Sequence, residues 1–196
     1  MSSKRERILH SAEEAFLQHG YDGTSIDTIV DRVGGSKSTV YAHFRDKRIL
    51  FAEALAKIRH EIDFSLTRFR EVAPDNAREA LILLGVELLN ALYCRKALHL
   101  FRIVVAESQR FPEVAKQYYE EGPSELIRQI AAFLAERSKA EDIILPDPER
   151  SAELFFSLLR GDREMRILLG VDPFPCPADL VAIAENAVDA FMSLSV

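Results

Sequence analysis

Apolar residues recur at three- and four-residue steps through most of the chain, and glycine, proline or a capping residue breaks the pattern at intervals, predicting one helix after another. From Lys4 to His19 the positions Ile8, Leu9, Ala12, Ala15 and Phe16 share a face, and Gly20 ends the run. The stretch from Thr24 to Lys47, TSIDTIVDRVGGSKSTVYAHFRDK, then divides into two short helices. Thr24 is expected to cap the first, with Asp27 as a capping-box acid and Ile26, Ile29, Val30 and Val33 as its apolar stripe. Gly34 and Gly35 stop it. Ser36 is expected to cap the second, Lys37 to about His43, whose Val40 and Phe44 turn inward while its remaining residues are small, polar or cationic. Two such helices after a first one make a helix-turn-helix, and the second has the surface of a helix that enters a major groove.

Asp46 caps a longer run, from Lys47 to about Val72, with Leu50, Phe51, Ala54, Leu55, Ile58, Ile62, Leu66 and Phe69 in register and no glycine or proline before Pro74. Asp75 to Tyr93 is apolar nearly all round, as expected of a helix at the centre of a bundle, and Arg95 to Glu107 is similar. The polar exceptions His99, Arg102 and Glu107 could line an internal pocket, or Arg102 and Glu107 could form a structural pair or reach solvent. Pro112 opens a helix to Glu121, Gly122-Pro123 breaks it, and Ser124 to Ser138 resumes. Asp147-Pro148 starts a helix to about Leu169 with Gly170 as its stop, and Pro177 starts the last one. The final two helices read as a dimer surface, a four-helix bundle formed with a second copy, against the alternative of packing within one chain. The expected fold is all-α with about nine helices: a three-helix, helix-turn-helix unit over residues 1–47 and a larger helical body over residues 48–196.

Composition bounds the function. At 196 residues and 48% hydrophobic the chain can bury a sizeable core. No apolar run approaches the roughly 18 residues of a membrane span, and MSSKRER has no signal-peptide core, so a cytoplasmic protein with no membrane partner is expected. Cys94 and Cys176 stand far apart without a CxxC partner, which favours reduced thiols with no metal, a redox sensor being the alternative. The net charge of −6 argues against a nucleic-acid binder until the chain is divided. Residues 1–50 hold eight Lys/Arg against seven acids, net +1, whereas the remainder holds 17 against 24, net −7. An acidic body disfavours indiscriminate adhesion to DNA and leaves binding to a local footprint.

Within that footprint, Lys37, Ser38 and Thr39 fall at the end of the second short helix that meets base edges. Lys37 could donate to guanine, and Thr39 could donate or offer its methyl group. Tyr41 and His43 suit phosphate contacts, as do Thr24 and Ser25 at the start of the preceding helix and Lys47 at the start of the following one. With the cap Ser36, these are the candidate DNA-binding residues. Lys4, Arg5 and Arg7 could reach the backbone or minor groove, or remain at a solvated N-terminus. An enzyme needs a constellation that is missing: no GxSxG, GxxxxGK[ST], HExxH or GxGxxG occurs, and no histidine lies three residues after a glutamate. The expectation is a non-enzyme with no cofactor and no metal site. Two other readings fit the same residues, an interaction or ligand-carrier protein whose helix-turn-helix no longer reads DNA, and a degenerate helical-bundle enzyme.

With these residues in view, the first 50 or so positions closely resemble the TetR family of bacterial one-component regulators. The resemblance rests on Val33, Gly34, Ser36, Tyr41, His43, Phe44 and Lys47, which stand where that family has its turn, its cap and its aromatic recognition-helix end. Gly35 departs from it, where a Val or Ile commonly packs, and so does Ser38, where Gly or Pro is frequent. The resemblance implies a homodimer, a C-terminal ligand-binding and dimerisation domain, and repression at a palindromic double-stranded DNA operator relieved by a small-molecule effector. The run FRIVVAESQRFPEVAKQYYEEGP from Phe101 to Pro123, together with Leu159-Arg160-Gly161-Asp162, is similar to the AefR-like C-terminal class, which implies a drug, lipid or efflux-related effector. By the family's architecture the pocket would lie among the middle helices, with Tyr93, Arg102, Tyr118 and Phe155 as its lining. Effector binding is then expected to shift the Lys47 to Val72 helix and change the separation of the two recognition helices.

Overall fold

In the computed structural model, residues 3–62, 69, 71–139 and 145–194 are described, and among them there is helix but no strand. Helix α1 spans Lys4–Gly23. Ser3 caps it through a reciprocal box: the Glu6 N–H donates to the Ser3 hydroxyl at 3.2 Å, and the Ser3 N–H donates to the Glu6 carboxylate at 2.8 Å. Gly20, at φ 68°, interrupts it where the sequence predicts the stop. Helices α2 (Ile26–Val33), α3 (Lys37–His43) and α4 (Lys47–Glu61) follow.

The expected long helix from Lys47 to Val72 is shorter than its periodicity implies. It ends at Glu61, with Ile62 outside the helical region at φ −82° and ψ 78°. No glycine or proline marks this end, but Arg59 and His60 in the last turn suit the negative end of the helix dipole. Residues 63–68 and 70 of the expected run, Leu66 among them, lie outside the described residues; Phe69, Glu71 and Val72 are again helical.

Next come α5 (Ala77–Leu92), α6 (Arg95–Glu107) and α7 (Pro112–Tyr119). The predicted break at Gly122-Pro123 is instead a π-helical turn, Glu120–Ser124, leading directly into α8 (Glu125–Lys139). A proline lacks the N–H of a regular turn and its ring crowds the carbonyl behind it, and the wider turn takes up both defects. Helix α9 (Pro148–Leu168) has Asp147 as its cap and proline at its first position, as the sequence predicts, and α10 (Pro177–Leu194) closes the chain.

The chain separates into two compact units, and these do not follow the expected cut after residue 47. The first comprises Met1–Ile62 with Arg95–Tyr118, the second Asp63–Cys94 with Tyr119–Val196. The first core joins Ile8, Ala12, Phe16, Ile29, Val40, Phe44, Leu50, Phe51 and Ile58 of the first four helices to Leu100, Val104 and Phe111 from the later segment. Tyr21, Phe51 and Phe111 meet edge to face, with centroids 5.0 Å apart for Tyr21 and Phe51 and 4.7 Å for Tyr21 and Phe111. The helix-turn-helix is therefore built on α6 and the start of α7 as well as on its own three helices. In the second unit α5 packs on α10, and α9 packs on α8 and α10. Phe155 of α9 and Phe191 of α10 meet edge to face at 5.4 Å, both fully buried.

Candidate nucleic-acid interface

The geometry of α3 follows from which of its residues are apolar. Val40 and Phe44 are buried in the first core, at 2% and 1% exposure. That choice turns Lys37, Ser38, Tyr41, Ala42 and His43 outward, with Thr39 half-buried beside them. The cap is a hydroxyl cluster: Ser36 Oγ accepts from the Thr39 N–H at 3.3 Å and lies 2.6 Å from Ser38 Oγ and 3.1 Å from Thr39 Oγ1. The short helix thus presents a continuous polar face, with an aromatic hydroxyl and an imidazole toward its end.

The start of α2 differs from the sequence reading. Ser25, not Thr24, is the cap, its hydroxyl accepting from the Thr28 N–H at 3.0 Å. Thr24 is 1% exposed, and its hydroxyl donates to the carbonyls of Ala15 and Gly20 at 3.0 and 2.8 Å. A hydroxyl committed to two internal carbonyls fastens the end of α1 and is not offered to a phosphate. Asp27 serves no capping box either. It forms an ion pair with Lys37 at 2.9 Å, and this hydrogen bond holds the Lys37 ammonium above the usual lysine range.

Lys47 is half-buried, its Nζ 4.1 Å above the ring of Tyr21, and burial moves its ammonium below the usual lysine range. Arg110, 4.5 Å from the centroid of the same ring, is ion-paired with Asp22 at 2.6 Å. Arg48 reaches Glu113 at 3.0 Å. Two residues at the front of α1 also serve the motif from within. The Lys4 ammonium donates to the carbonyls of Val33, at 3.2 Å, and of Gly34, and the Arg5 guanidinium lies 4.7 Å from the centroid of Phe44.

The four positions expected to line a pocket fall two in each unit. In the first, Arg102 is half-buried, and Tyr118, packed against the core, stacks on Phe101 with centroids 6.2 Å apart. His99 is exposed. In the second, Phe155 is a core residue with no accessible face, and Tyr93 is 5% exposed, its hydroxyl donating to the Arg160 carbonyl at 3.2 Å. Burial pushes the Tyr93 phenol up to about 12, so it stays a protonated donor. Among the described residues no cluster of His, Cys, Asp or Glu could hold a metal ion, and no helix is long and apolar enough to cross a membrane.

Two family models match the chain. Residues 8–54 match the bacterial regulatory proteins of the tetR family, and residues 79–194 match the C-terminal domain of AefR-like transcriptional repressors. A TetR-family transcriptional regulator from Mesorhizobium loti MAFF303099 is 28% identical with a TM-score of 0.85, the match covering 97% of this chain and 96% of that one. The flavonoid-responsive regulator FrrA is 30% identical with a TM-score of 0.77, over the same shares of each chain. The HTH-type transcriptional repressor AcnR of Corynebacterium diphtheriae is 34% identical over 76 residues, 39% of this chain and 36% of that protein, so the match spans about a third of that relative's length. All three are regulators of transcription, not enzymes. The chain belongs to the TetR family of bacterial regulatory proteins, with a C-terminal domain of the AefR-like class.

Proposed function

We propose that the chain is a transcriptional repressor that binds a palindromic DNA operator as a homodimer and leaves it when a small-molecule effector binds. The observation that carries this reading is the face of α3: Lys37, Ser38, Tyr41 and His43 point outward from a helix whose other side is anchored by Val40 and Phe44. Lys37, Ser38 and Thr39 read base edges; Ser25, Ser36, Tyr41, His43 and Lys47 position the backbone. Thr24 holds the motif together from inside. A short helix reads few base pairs, so two copies must engage successive major grooves. The second unit supports a self-association surface there, since Met165, Leu169, Val171 and Val181 on or beside α9 and α10 are apolar and exposed.

The likeness to FrrA supports a small organic effector, with Arg102 and Tyr118 as the half-buried candidates to meet it. Effector binding releases DNA by changing the separation of the two α3 helices. If each protomer neutralises about two phosphates, the log-log salt dependence of operator binding has a slope near −4. Selection of bound genomic fragments by the effector-free protein tests the reading. Enrichment of a palindrome with half-sites about one helical turn apart supports it, and retention of fragments with no preference over bulk competitor DNA defeats it.

A further inference from the structure

Lys4 stands at the first position of α1, yet its ammonium sits at the far end of α2, bonded to the carbonyls of Val33 and Gly34. Carbonyls at the end of a helix lack an intrahelical partner and carry the negative end of its dipole, so an ammonium there satisfies both. The turn it grips needs such a grip. Gly34 and Gly35 are both at positive φ, 73° and 119°, and two successive glycines give a turn little conformational preference of its own. A Cβ added at Gly35 would lie 3.5 Å from the Lys4 Nζ, so the side chain crosses close over both residues. The adjacent Arg5 lies on Phe44, the residue that ends α3. Neighbouring residues on α1 therefore hold α3 at its entry and at its exit.

We propose that Lys4 is a positioning residue for operator recognition, fixing the Gly34-Gly35 turn and with it the angle of α3, and that it makes no phosphate contact. The inference rests on the operator-binding reading for its effect on affinity, but its effect on the turn is a property of the free protein. Three forms are compared, wild type, Lys4→Met and Lys4→Gln, the last keeping an N–H donor without the charge. In the free protein, Lys4→Met raises hydrogen exchange about tenfold for the hydrogen-bonded amides that flank the turn, those of Gly34, Thr39 and Val40, leaves those from Ala12 to Phe16 unchanged, and Lys4→Gln falls between. On the selected operator, Lys4→Met binds about tenfold more weakly, Lys4→Gln recovers part of the loss, and the salt slope stays at the wild-type value.

A phosphate contact would behave differently. Both variants would then weaken operator and bulk DNA alike, and the slope would fall by about 2 for a dimer. That result overturns the proposal, as does unchanged exchange at Gly34, Thr39 and Val40. If wild type selects no operator, the functional reading fails while the exchange measurement still decides whether Lys4 holds the turn. Faster exchange throughout α1 in both variants also overturns it, because Lys4 would then support the whole helix and not the turn.

Discussion

Asp27 of α2 holds the ammonium of Lys37, the first residue of α3, at 2.9 Å, which places a carboxylate on the face expected to meet DNA. Both side chains are more than half exposed, so the pair adds little to folding, and its consequence is electrostatic. The acid offsets one cation of the footprint and keeps Lys37 in one pose. Asp27→Asn is expected to tighten binding to bulk competitor DNA by up to about fivefold at low salt and to steepen the salt slope, with a smaller gain on operator. The specificity ratio therefore falls. Fluorescence anisotropy titrations over a salt series measure all three quantities, and an unchanged ratio would assign Asp27 a purely local role.

A buried acid sets the next expectation. Glu13 on α1 is 3% exposed and meets Lys57 of α4 at 2.6 Å. Removing the lysine leaves that carboxylate His10, at 3.7 Å, in place of a bonded ammonium. Lys57→Met is expected to cost about 2 kcal/mol of unfolding free energy, below the range for fully buried pairs because the lysine side chain is 34% exposed. Adding Glu13→Gln should recover much of the loss, which urea unfolding of the single and double variants checks.

Lys57 also reaches Glu61 at 3.1 Å, and Glu61 is bonded in turn to Lys96 of α6. The hydrogen bond from Lys96, with that from Lys57, holds the Glu61 carboxyl below the usual carboxylate range in spite of burial. A folded-state value below the unfolded one means that the stabilisation is fully present above the ordinary carboxylate range. It is lost as pH falls through the depressed folded-state value. The stability difference between wild type and Glu61→Gln is accordingly expected to be flat near neutrality and to shrink on acidification. A difference that grew on acidification would contradict the ion-pair account.

The residues explain why some of this was legible from sequence and some was not. Val40 within α3 and Phe44 just after it fix the helix's face, because so short a helix has only one way to bury both. The Asp147-Pro148 start of α9 is equally local. The roles of Thr24, Asp27 and Lys4 depend on partners in other helices or on a one-residue shift of a cap. Two hydroxyl residues in a row, Thr24 and Ser25, offer identical capping chemistry, and only the packing of α1 against α2 decides which turns inward. The compact units differ from a cut after residue 47 for a related reason, since Leu100, Val104 and Phe111 join the first core from far along the chain. Nothing in their own periodicity says which core they enter.

Gly85 marks a close approach in the second unit. A Cβ there would lie 3.0 Å from Leu159 Cδ2 and 3.1 Å from Ala184 Cβ, so α5 meets α10 nearly at backbone distance and receives the tip of Leu159 from α9. Gly85→Leu is expected to destabilise the protein by on the order of 3 kcal/mol through overpacking. Gly85→Ala should cost less than Gly85→Leu: Leu159 can turn its methyl aside, whereas Ala184, whose Cβ is fixed to its backbone, must shift by a few tenths of an ångström, and alanine gains up to about 1 kcal/mol of helix preference against that. Urea unfolding of the two variants checks the contrast.

Thr24 and Tyr41 separate folding from recognition, because one is 1% exposed and the other 48%. Thr24→Val keeps the shape and removes the donor to the Ala15 and Gly20 carbonyls, so a loss of about 1 to 2 kcal/mol in unfolding free energy is expected. Operator affinity of the folded fraction should stay within about twofold, since the hydroxyl faces inward. Tyr41→Ala reverses the pattern. Its side chain stands in solvent on the outer face of α3, so stability should move by no more than about 0.5 kcal/mol. Operator binding should fall about tenfold if the phenol makes a hydrogen bond to phosphate. The two variants measured side by side, by urea unfolding and by gel shift on the selected operator, decide the assignment. Equal losses of stability and of affinity in both would mean that the outer face of α3 is not the reading surface.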